Sequence, residues 1–250
     1  MKTKVLIFGK EKDKVTDLVA ESGFAVVAKN PDFVASFGGD GTVMHCEAKY
    51  PGIPKIVLRN SHVCKICSPF ENAEVLQKIA AGKYKLEEFW KIEGKVVVKI
   101  GNKTVNKTNG KKLTALNDIT IHNGDPRHAI RYKFFVNGKQ IGGEIIGDGV
   151  VVATPFGSTG YYRSITDSFF EVGLGLAFNN STEQADHMVL RENSKVEIEI
   201  TRGPAVAFAD NQEEKITLQI GDKITVEKSS EVARIVRPDA ERPRPDVTVR

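Results

Sequence analysis

The sequence predicts a two-part fold, in which an α/β domain with a parallel sheet is followed by a domain of mostly antiparallel β-strands. Up to residue 84, short apolar runs alternate with segments of helical periodicity, which is typical of parallel strands joined by crossover helices. From residue 85, short alternating runs replace the helical pattern, and Asn-Gly pairs at 109–110 and 137–138 are hairpin turn signals. The 250 residues are enough for two smaller domains or one larger one, and for a sizeable core.

The strands predicted in the first part are short apolar runs, at 5–8, 24–28, 32–37 and 55–58. After the first of them, Val15, Leu18 and Val19 recur at helical spacing before Gly23, a residue suited to end a helix. Another helix is predicted to begin at Ser68, where SPFE supplies a Ser cap, a Pro at the first position and a Glu at the third. Gly82 closes this helix.

The second part contains a series of strand candidates separated by turn residues, at 95–100, 131–136, 150–153, 195–200, 205–208, 215–220 and 223–226. We therefore predict an α/β domain over residues 1–84 and a β-rich domain over 85–236. The tail from 237 to 250 is rich in proline and arginine, so we expect it to be extended, either free or packed back on the first domain.

Composition excludes several classes of protein. The formal net charge is +4, which suits an anionic substrate but lacks the concentrated basic stripe of a nucleic-acid-binding protein. There is no run of about 18 apolar residues that would suggest a membrane partner. The first strand pattern begins at Val5, too early for a signal peptide. We expect a cytoplasmic protein.

Three cysteines, Cys46, Cys64 and Cys67, fall in one third of the chain. An odd number clustered in this way does not indicate a disulfide framework. With His62, the pair Cys64 and Cys67 has the ligand types of a structural zinc site, but one pair stands where two would be persuasive. We therefore expect reduced thiols.

The sequence FGGDGT at 37–42 is the first sign of chemistry. It connects an apolar run to a potential helix, and backbone N–H groups at the start of a helix can converge on phosphate. The glycines would allow a ligand to approach the backbone closely. A carboxylate at Asp40 would repel phosphate, so its presence indicates either metal binding or the removal of a proton from an attacking hydroxyl.

Two later stretches carry groups that suit a nucleoside. Asn117 and Asp118, at the start of a predicted strand, can hydrogen-bond ribose hydroxyls or a base amino group, although the pair can equally cap a turn. The stretch 147–161 runs from a strand into a loop dense in Gly, Ser and Thr that ends at Tyr161. Such a loop can hold a sugar and phosphate beside an aromatic face, or can be a polar connection between strands.

Together, GGDGT at 38–42, Asn117-Asp118, and Asp148-Gly149 ahead of the loop 154–161 closely resemble the NAD kinase family in order and spacing. The family pattern reads GGDGT, then N-[E/D], then DG ahead of TPTGSTAY. Here Phe156 replaces the second Thr of that loop and Gly160 replaces the Ala. The resemblance covers roughly residues 1–230.

The resemblance implies an enzyme that transfers the terminal phosphoryl group of ATP, or of polyphosphate, to the 2′-hydroxyl of the adenosine ribose of NAD. It implies a Rossmann-like or flavodoxin-like α/β domain, a C-terminal β-sandwich domain, and a homodimer or homotetramer. Mg²⁺ is expected with the donor, because charge between its phosphates must be neutralised.

The resemblance also assigns roles to residues of this chain. Asp40 is the expected general base, and the adjacent residues are expected to cradle phosphates. His45 matches a basic position that contacts the dinucleotide, Asp148 a family aspartate near the nicotinamide end, and Asn117 and Asp118 would bind the adenosine part. The residues from Ser158 to Tyr161 would line the adenine site. The full set of expected binding residues is Gly38, Gly39, Gly41, Thr42, His45, Asn60, Asn117, Asp118, Asp148, Thr154, Ser158, Thr159, Gly160, Tyr161 and Gln212.

The sequence departs from the family in two places that matter for the site. The family pattern Asn-x-Gly-x-Leu-Gly-Phe-Leu appears here as NSHVCKIC at 60–67, without either glycine, and its Asp-Gly-Gln appears as DNQ at 210–212. Two alternatives therefore stay open. One is a lipid kinase of the diacylglycerol or sphingosine type, which shares GGDGT, and the other is a non-catalytic NAD(P)-binding regulator.

Overall fold

The computed structural model describes residues 2–61, 64–100, 103–106, 112–182 and 186–239. The chain divides into two compact units, Met1–Phe89 with Ala233–Arg250, and Trp90–Val232. The boundaries predicted at 84/85 and 236/237 fall within two long strands, Tyr84–Ile100 and Lys223–Pro238. Residues 240–250, most of the predicted tail, lie outside the described part of the chain.

The first unit is built on the parallel sheet that the sequence predicts. Its strands β1 to β4 lie in the order β2-β1-β3-β4, and the last residues of the strand Lys223–Pro238 pair with β4 in parallel, with Ile235 beside Lys55. The four strands are Lys4–Phe8, Ala25–Val26, Phe33–Gly38 and Lys55–Arg59. Because β1, β3 and β4 are parallel, their carboxyl ends lie at one edge, where an α/β sheet binds its ligands.

Helices cover both faces of this sheet, as strand alternation requires. Val5 and Ile7 of β1 pack with α1 and α3, whereas Leu6 packs with Cys46 of α2 on the opposite face. The helices are α1 (Asp13–Glu21), α2 (Asp40–Lys49) and α3 (Asn72–Ala80). Helices on both faces of a parallel sheet confirm the predicted α/β class.

The predicted start of α3 at Ser68 is wrong. The helix begins at Asn72, and the hydroxyl of Ser68 instead accepts the N–H of Phe70 at 3.3 Å in a local turn. The Asn72 side chain accepts the N–H of Arg59 and donates to its carbonyl oxygen, which ties the helix start to the end of β4. Its end is predicted correctly, since Gly82 follows with a φ of 71° that favours glycine.

A buried ion pair joins α2 to β4. Lys55 and Glu47 form a salt bridge in which the lysine is fully buried and the glutamate almost so. Lys55 also donates to the carbonyl oxygen of Tyr50 at 2.7 Å, and Glu47 accepts the N–H of Gly52 at 3.2 Å. Buried charges require such partners, because each alone would carry a large desolvation cost.

The second unit is the antiparallel β domain that the sequence predicts, and it contains two sheets. One contains β10-β9-β14-β17 with β5, β6 and β7, and the other has the order β13-β12-β11-β8-β15-β16. The strands β5 to β17 are Tyr84–Ile100, Lys103–Asn106, Leu113–Ala115, Asp118–Asn123, Ile130–Val136, Lys139–Gly147, Gly149–Ala153, Leu174–Asn179, His187–Leu190, Val196–Arg202, Ala205–Ala209, Lys215–Leu218 and Lys223–Pro238.

The core of the second unit contains buried residues from both sheets. Tyr132, Phe134 and Ile198 from the first sheet and Ile121 and Val152 from the second belong to one buried cluster, which is the arrangement of a β-sandwich. The outer face of β11 is covered by α4 (Tyr161–Thr166), with Tyr162 packed among Val151, Ala153 and Phe170. Strand β11 is therefore buried on both faces.

Two strands are much longer than predicted, because charged residues interrupt their apolar pattern. Strand β5 was expected only from Lys95, yet Lys91 and Glu93 before it are both buried. Lys91 pairs with Glu231 of β17 at 3.1 Å, and Glu93 pairs with Lys112 at 2.9 Å. These partners are remote in sequence, so periodicity could not reveal that the charges belong to a sheet.

The hairpin predicted at Asn137-Gly138 is confirmed. Both residues have positive φ, 51° and 79°, and they connect β9 to β10. The pair predicted at Asn109-Gly110 lies outside the described residues. In the described part of the chain, none of the helices has the length and apolar character needed to cross a bilayer.

We expect Lys55→Met to lower the free energy of unfolding by about 3–5 kcal/mol, because it leaves Glu47 buried and unpaired. Lys55→Met combined with Glu47→Gln should recover part of that loss, since no unpaired charge then remains. Urea denaturation measures both effects. The matched control is Lys14→Met, which removes an exposed pair with Glu11 in the same unit and should leave the free energy of unfolding nearly unchanged. Equal costs for the two lysines would contradict this account.

Candidate functional site

The glycine turn lies where the sequence places it, between β3 and α2. Gly38 ends β3, Gly39 is the residue before the helix with an extended backbone, and Asp40 is the first helical residue. A Cβ on Gly38 would collide with the side chain of Thr42. Glycine is thus needed at this position for packing within the turn itself, in addition to any approach by a ligand.

Both oxygens of the Asp40 carboxylate accept backbone hydrogen bonds from a neighbouring loop. The N–H of Lys65 donates to Oδ2 at 3.0 Å, and the N–H of Ile66 donates to Oδ1 at 2.9 Å. A carboxylate has about four acceptor positions, so capacity for a substrate hydroxyl remains. These contacts could not be predicted from the sequence, because backbone donors carry no residue-type signature.

The expectation of reduced thiols is wrong for two of the three cysteines. Cys64 and Cys67 form a disulfide, while Cys46 is free and buried, with burial raising the pKa of its thiol to about 12. The disulfide occupies the two sulfur atoms that the zinc hypothesis needed, and His62 lies outside the described residues. Within the described ranges, no three His, Cys, Asp or Glu side chains cluster as metal ligands.

Of two further residues expected in the site, Asn60 contacts the glycine turn and His45 follows it in the chain. Asn60 follows β4, its N–H donates to the carbonyl oxygen of Gly38 at 3.1 Å, and its side-chain amide donates to Glu11 at 2.7 Å. His45 is exposed on α2, one turn and a half after Asp40. Gly41 and Thr42 form the first turn of that helix, with the N–H of Thr42 donating to the carbonyl oxygen of Gly39.

In the second unit, the carboxylate of Asp210 organises the other candidate residues. It accepts the N–H groups of Leu116, Asn117 and Asp118 at 2.9, 2.8 and 3.2 Å. Sequence reasoning missed this role and selected Gln212 instead, although Asp210 stands first in the family's Asp-Gly-Gln pattern. The side-chain amide of Gln212 donates to the carbonyl oxygen of Thr114 at 2.9 Å, so this residue is also tied to the backbone before Asn117.

Asp118 is the first residue of β8 and is buried beside this carboxylate. Its side chain accepts a hydrogen bond from Thr120 Oγ1 at 3.1 Å. Burial, followed by the charge of Asp210, raises the pKa of Asp118 to about 7. Burial also raises the pKa of Asp210. Near neutral pH, Asp118 is therefore a carboxyl group that can either donate or accept a hydrogen bond.

The predicted nucleotide loop after β11 is folded tightly against the same segment. Thr154 is fully buried, its hydroxyl donates to the carbonyl oxygen of Leu116 at 2.6 Å, and its N–H donates to the carbonyl oxygen of Asn117 at 2.8 Å. Ser158 is also buried and donates to the carbonyl oxygen of Pro155. These two side chains therefore shape the loop, while Thr159 is half-buried and Gly160 is exposed.

Tyr161 and Asp148 are also held by amide side chains. Tyr161, expected at the end of a loop, is the first residue of α4, and its hydroxyl accepts from Asn179 at 3.1 Å. Burial raises the pKa of this hydroxyl. The carboxylate of Asp148 accepts from Asn123 at 3.2 Å and from Asn180 at 3.0 Å. The second unit thus brings Asn117, Asp118 and the loop 154–160 together, and ties Tyr161 to β12 through Asn179 and Asp148 to β8 through Asn123.

We expect the stability of Asp118→Asn relative to the wild type to increase with pH. The raised pKa means that the native state retains a proton which the unfolded state loses, so wild-type stability falls as pH rises from about 4 to about 7. The variant lacks this penalty. Its free energy of unfolding relative to that of the wild type should therefore rise by roughly 2–3 kcal/mol from pH 5 to pH 8. Denaturant unfolding at both pH values measures the difference.

The control for this experiment is Asp125→Asn. In the wild type, a hydrogen bond from Arg127 lowers the pKa of Asp125 to about 2, so the Asp125 carboxylate is ionised at both pH values. The difference in unfolding free energy between Asp125→Asn and the wild type should therefore be the same at pH 5 and at pH 8. A pH-independent difference for Asp118→Asn would contradict the raised pKa.

We expect Gly157→Ala to destabilise the protein by about 1–3 kcal/mol, because its Cβ would overlap the backbone of Asn117. Gly160→Ala should be milder, since the nearest atom to its Cβ is 3.2 Å away and the family pattern has Ala there. Gly143→Ala is the control, because its Cβ would meet no atom within 4 Å. Thermal unfolding ranks the three, and an unaffected Gly157→Ala would show that the loop packs differently.

Comparison with known proteins gives a consistent result. Residues 116–238 match the family described as ATP-NAD kinase C-terminal domain. The chain is 29% identical over 215 residues to an NAD kinase of Pyrococcus abyssi, covering 82% of this chain and 73% of that protein. It is 28% identical over 225 residues to an NAD kinase of Nitrosococcus oceani, covering 84% and 72%.

Solved structures show the same fold. A yeast NADH kinase, crystallised with NADH, superposes with a TM-score of 0.78 at 19% identity, covering 98% of this chain and 85% of that one. An NAD kinase from Archaeoglobus fulgidus, in complex with ATP, superposes with a TM-score of 0.75 at 22% identity, covering 96% and 95%. The matched C-terminal domain, the sequence relatives and the three motifs in family order make the chain similar to NAD kinases over most of its length.

Proposed function

We propose that this protein is an NAD kinase, which transfers the terminal phosphoryl group of ATP, or of polyphosphate, to the 2′-hydroxyl of the adenosine ribose of NAD. The observation that carries the proposal is the position of Asp40. Its carboxylate lies at the carboxyl edge of a parallel sheet, at the first turn of α2, and two backbone N–H groups hold it. A base fixed in this way is suited to accept the proton of a positioned hydroxyl.

In the proposed reaction, the oxygen of the ribose 2′-hydroxyl attacks the terminal phosphorus of the donor while Asp40 accepts the proton of that hydroxyl. The bond from that phosphorus to the bridging oxygen of the donor breaks. Gly38, Gly39, Gly41 and Thr42 contribute the backbone of the turn beside the phosphates, because N–H groups at a helix start favour anions. His45 and Asn60 lie at the same end of the first unit and are proposed to contact the dinucleotide.

The second unit is proposed to bind the adenosine and nicotinamide parts of NAD. Asn117 supports this role, because its Oδ1 is buried and has no hydrogen-bond partner among the described residues. A buried acceptor of this kind is satisfied when a ligand donates to it. Asp118, Thr159, Gly160 and Tyr161 would surround the adenosine, with Thr154, Ser158 and Gln212 shaping the backbone there, and Asp148 would lie toward the nicotinamide.

Mg²⁺ is proposed to enter with the donor. This ion is commonly bound through one or two carboxylates together with substrate phosphates and water. When bound, the ion neutralises charge between the donor phosphates. We further propose a cytoplasmic enzyme that works as a homodimer or homotetramer, in keeping with the family pattern.

The test is an assay of the purified protein with Mg-ATP or polyphosphate and NAD, NADH or a lipid alcohol. We expect NADP formation, and a fall in kcat of roughly 10²–10⁴-fold in Asp40→Asn. NAD affinity, measured by calorimetry, should change little, because the loss concerns proton transfer.

The matched control is Asp13→Asn, which makes the same change in the first turn of α1 and should retain full activity. NAD binding without NADP formation from any donor would show a non-catalytic regulator. Phosphorylation of the lipid alcohol in preference to NAD would show a lipid kinase. Near-full activity of Asp40→Asn would overturn the assignment of the base while the enzyme function stood.

A further inference from the structure

The loop that holds Asp40 is closed by a disulfide. Lys65 and Ile66, whose N–H groups donate to the two oxygens of Asp40, are the residues between Cys64 and Cys67. The Cys64 sulfur lies 3.5 Å from Asp40 Oδ1 and accepts the N–H of Cys67 at 3.1 Å. The covalent ring and the carboxylate are therefore in direct contact, and all of these atoms belong to the first unit.

The loop is anchored on its other side as well. Ile66 and Cys67 are buried, and the carbonyl oxygen of Ile66 accepts a hydrogen bond from Arg237 at 2.8 Å. The same guanidinium donates to Glu87 at 2.7 Å. The ring is thus held at Cys67 and Ile66, while Lys65 is exposed and Cys64 is partly exposed. Of the two cysteines, Cys64 is therefore the more open to a reductant.

General stabilisation does not account for this disulfide. A disulfide stabilises mainly by restricting the unfolded chain, and the effect grows with the length of the closed loop. Cys64 and Cys67 are three residues apart, so the ring restricts little beyond its own backbone. Neither cysteine belongs to the family pattern, in which the corresponding segment is Leu-Gly-Phe-Leu. The effect of the ring is local, and its local contact is Asp40.

We propose that the Cys64–Cys67 disulfide is a redox-sensitive positioning element for Asp40. The closed ring fixes the backbone of Lys65 and Ile66 so that both N–H groups orient the carboxylate. Opening the ring frees this backbone and loosens the carboxylate. Because proton transfer needs a positioned base, the reduced protein turns over more slowly. This role rests on the proposed function of Asp40 as the base.

The redox step is ordinary thiol–disulfide exchange with a dithiol. A thiolate of the dithiol attacks the Cys64 sulfur, the bond to Cys67 breaks, and Cys67 leaves as a thiolate. The second thiol of the reductant then attacks the mixed disulfide, which releases Cys64 and closes the reductant's own disulfide. Two electrons pass to the protein, and the two protons lost by the dithiol balance those gained by Cys64 and Cys67.

The test compares the full-length protein with its disulfide intact and after reduction by dithiothreitol, with thiol titration to confirm each state. We expect kcat for NADP formation to fall about tenfold on reduction, with KM for NAD unchanged within about twofold, because orientation of the base is lost rather than substrate binding. The double variant Cys64→Ser with Cys67→Ser should match the reduced protein and ignore the reductant. Cys46→Ala should keep the full response, since Cys46 is a free thiol.

A second readout does not depend on activity. Amide hydrogen exchange at Lys65 and Ile66, followed by NMR, should accelerate at least tenfold on reduction, because both N–H groups lose a fixed acceptor. Unchanged exchange and unchanged kcat in the reduced protein would overturn the proposal, as would a response in the double variant. If neither redox state forms NADP, the proposed function fails, and the exchange rates alone then decide whether the ring orders the loop around Asp40.

Discussion

The hydrogen bonds to the carboxylate of Asp210 are the interaction on which the candidate site of the second unit depends. This carboxylate accepts the N–H groups of Leu116, Asn117 and Asp118 at the start of β8. Once that segment is fixed, its carbonyl oxygens become acceptors for Thr154. The loop after β11 then packs so closely on Asn117 that Gly157 has no room for a Cβ. One acidic side chain thus sets the shape of two loops.

In the first unit, backbone N–H groups also donate to a carboxylate, but that carboxylate belongs to the proposed catalytic residue. There a carboxylate, that of Asp40, is held by two backbone N–H groups, but it remains partly exposed at the sheet edge. In both units, backbone N–H groups hold a carboxylate in place. The number of backbone donors differs: Asp210 accepts three N–H groups and organises structure, whereas Asp40 accepts two and keeps acceptor capacity that chemistry can use.

The raised pKa of Asp118 follows from this construction. Placing a second carboxyl group beside Asp210 in a buried position is unfavourable when both are charged. The arrangement is consistent with a site where stability is given up for a group that can exchange hydrogen-bond roles with a ligand. The buried Oδ1 of Asn117 next to it has no hydrogen-bond partner among the described residues, so it too has capacity for a donor from outside the fold.

The sequence alone determined the two-part architecture, the β3–glycine turn–α2 connection and the three motifs that carry the family resemblance. These features depend on local periodicity, on turn chemistry and on short patterns, all of which are visible along the chain. Prediction from the sequence was wrong about the helix start at Ser68, the extent of β5 and the state of two cysteines, and it missed the role of Asp210. In each case the deciding partner is remote in sequence or is a backbone group, as with Lys91 and Glu231, or Asp40 and the N–H of Lys65. Only the tertiary structure brings such partners together, and so only it could show that the glycine-turn carboxylate is held by a disulfide-closed loop.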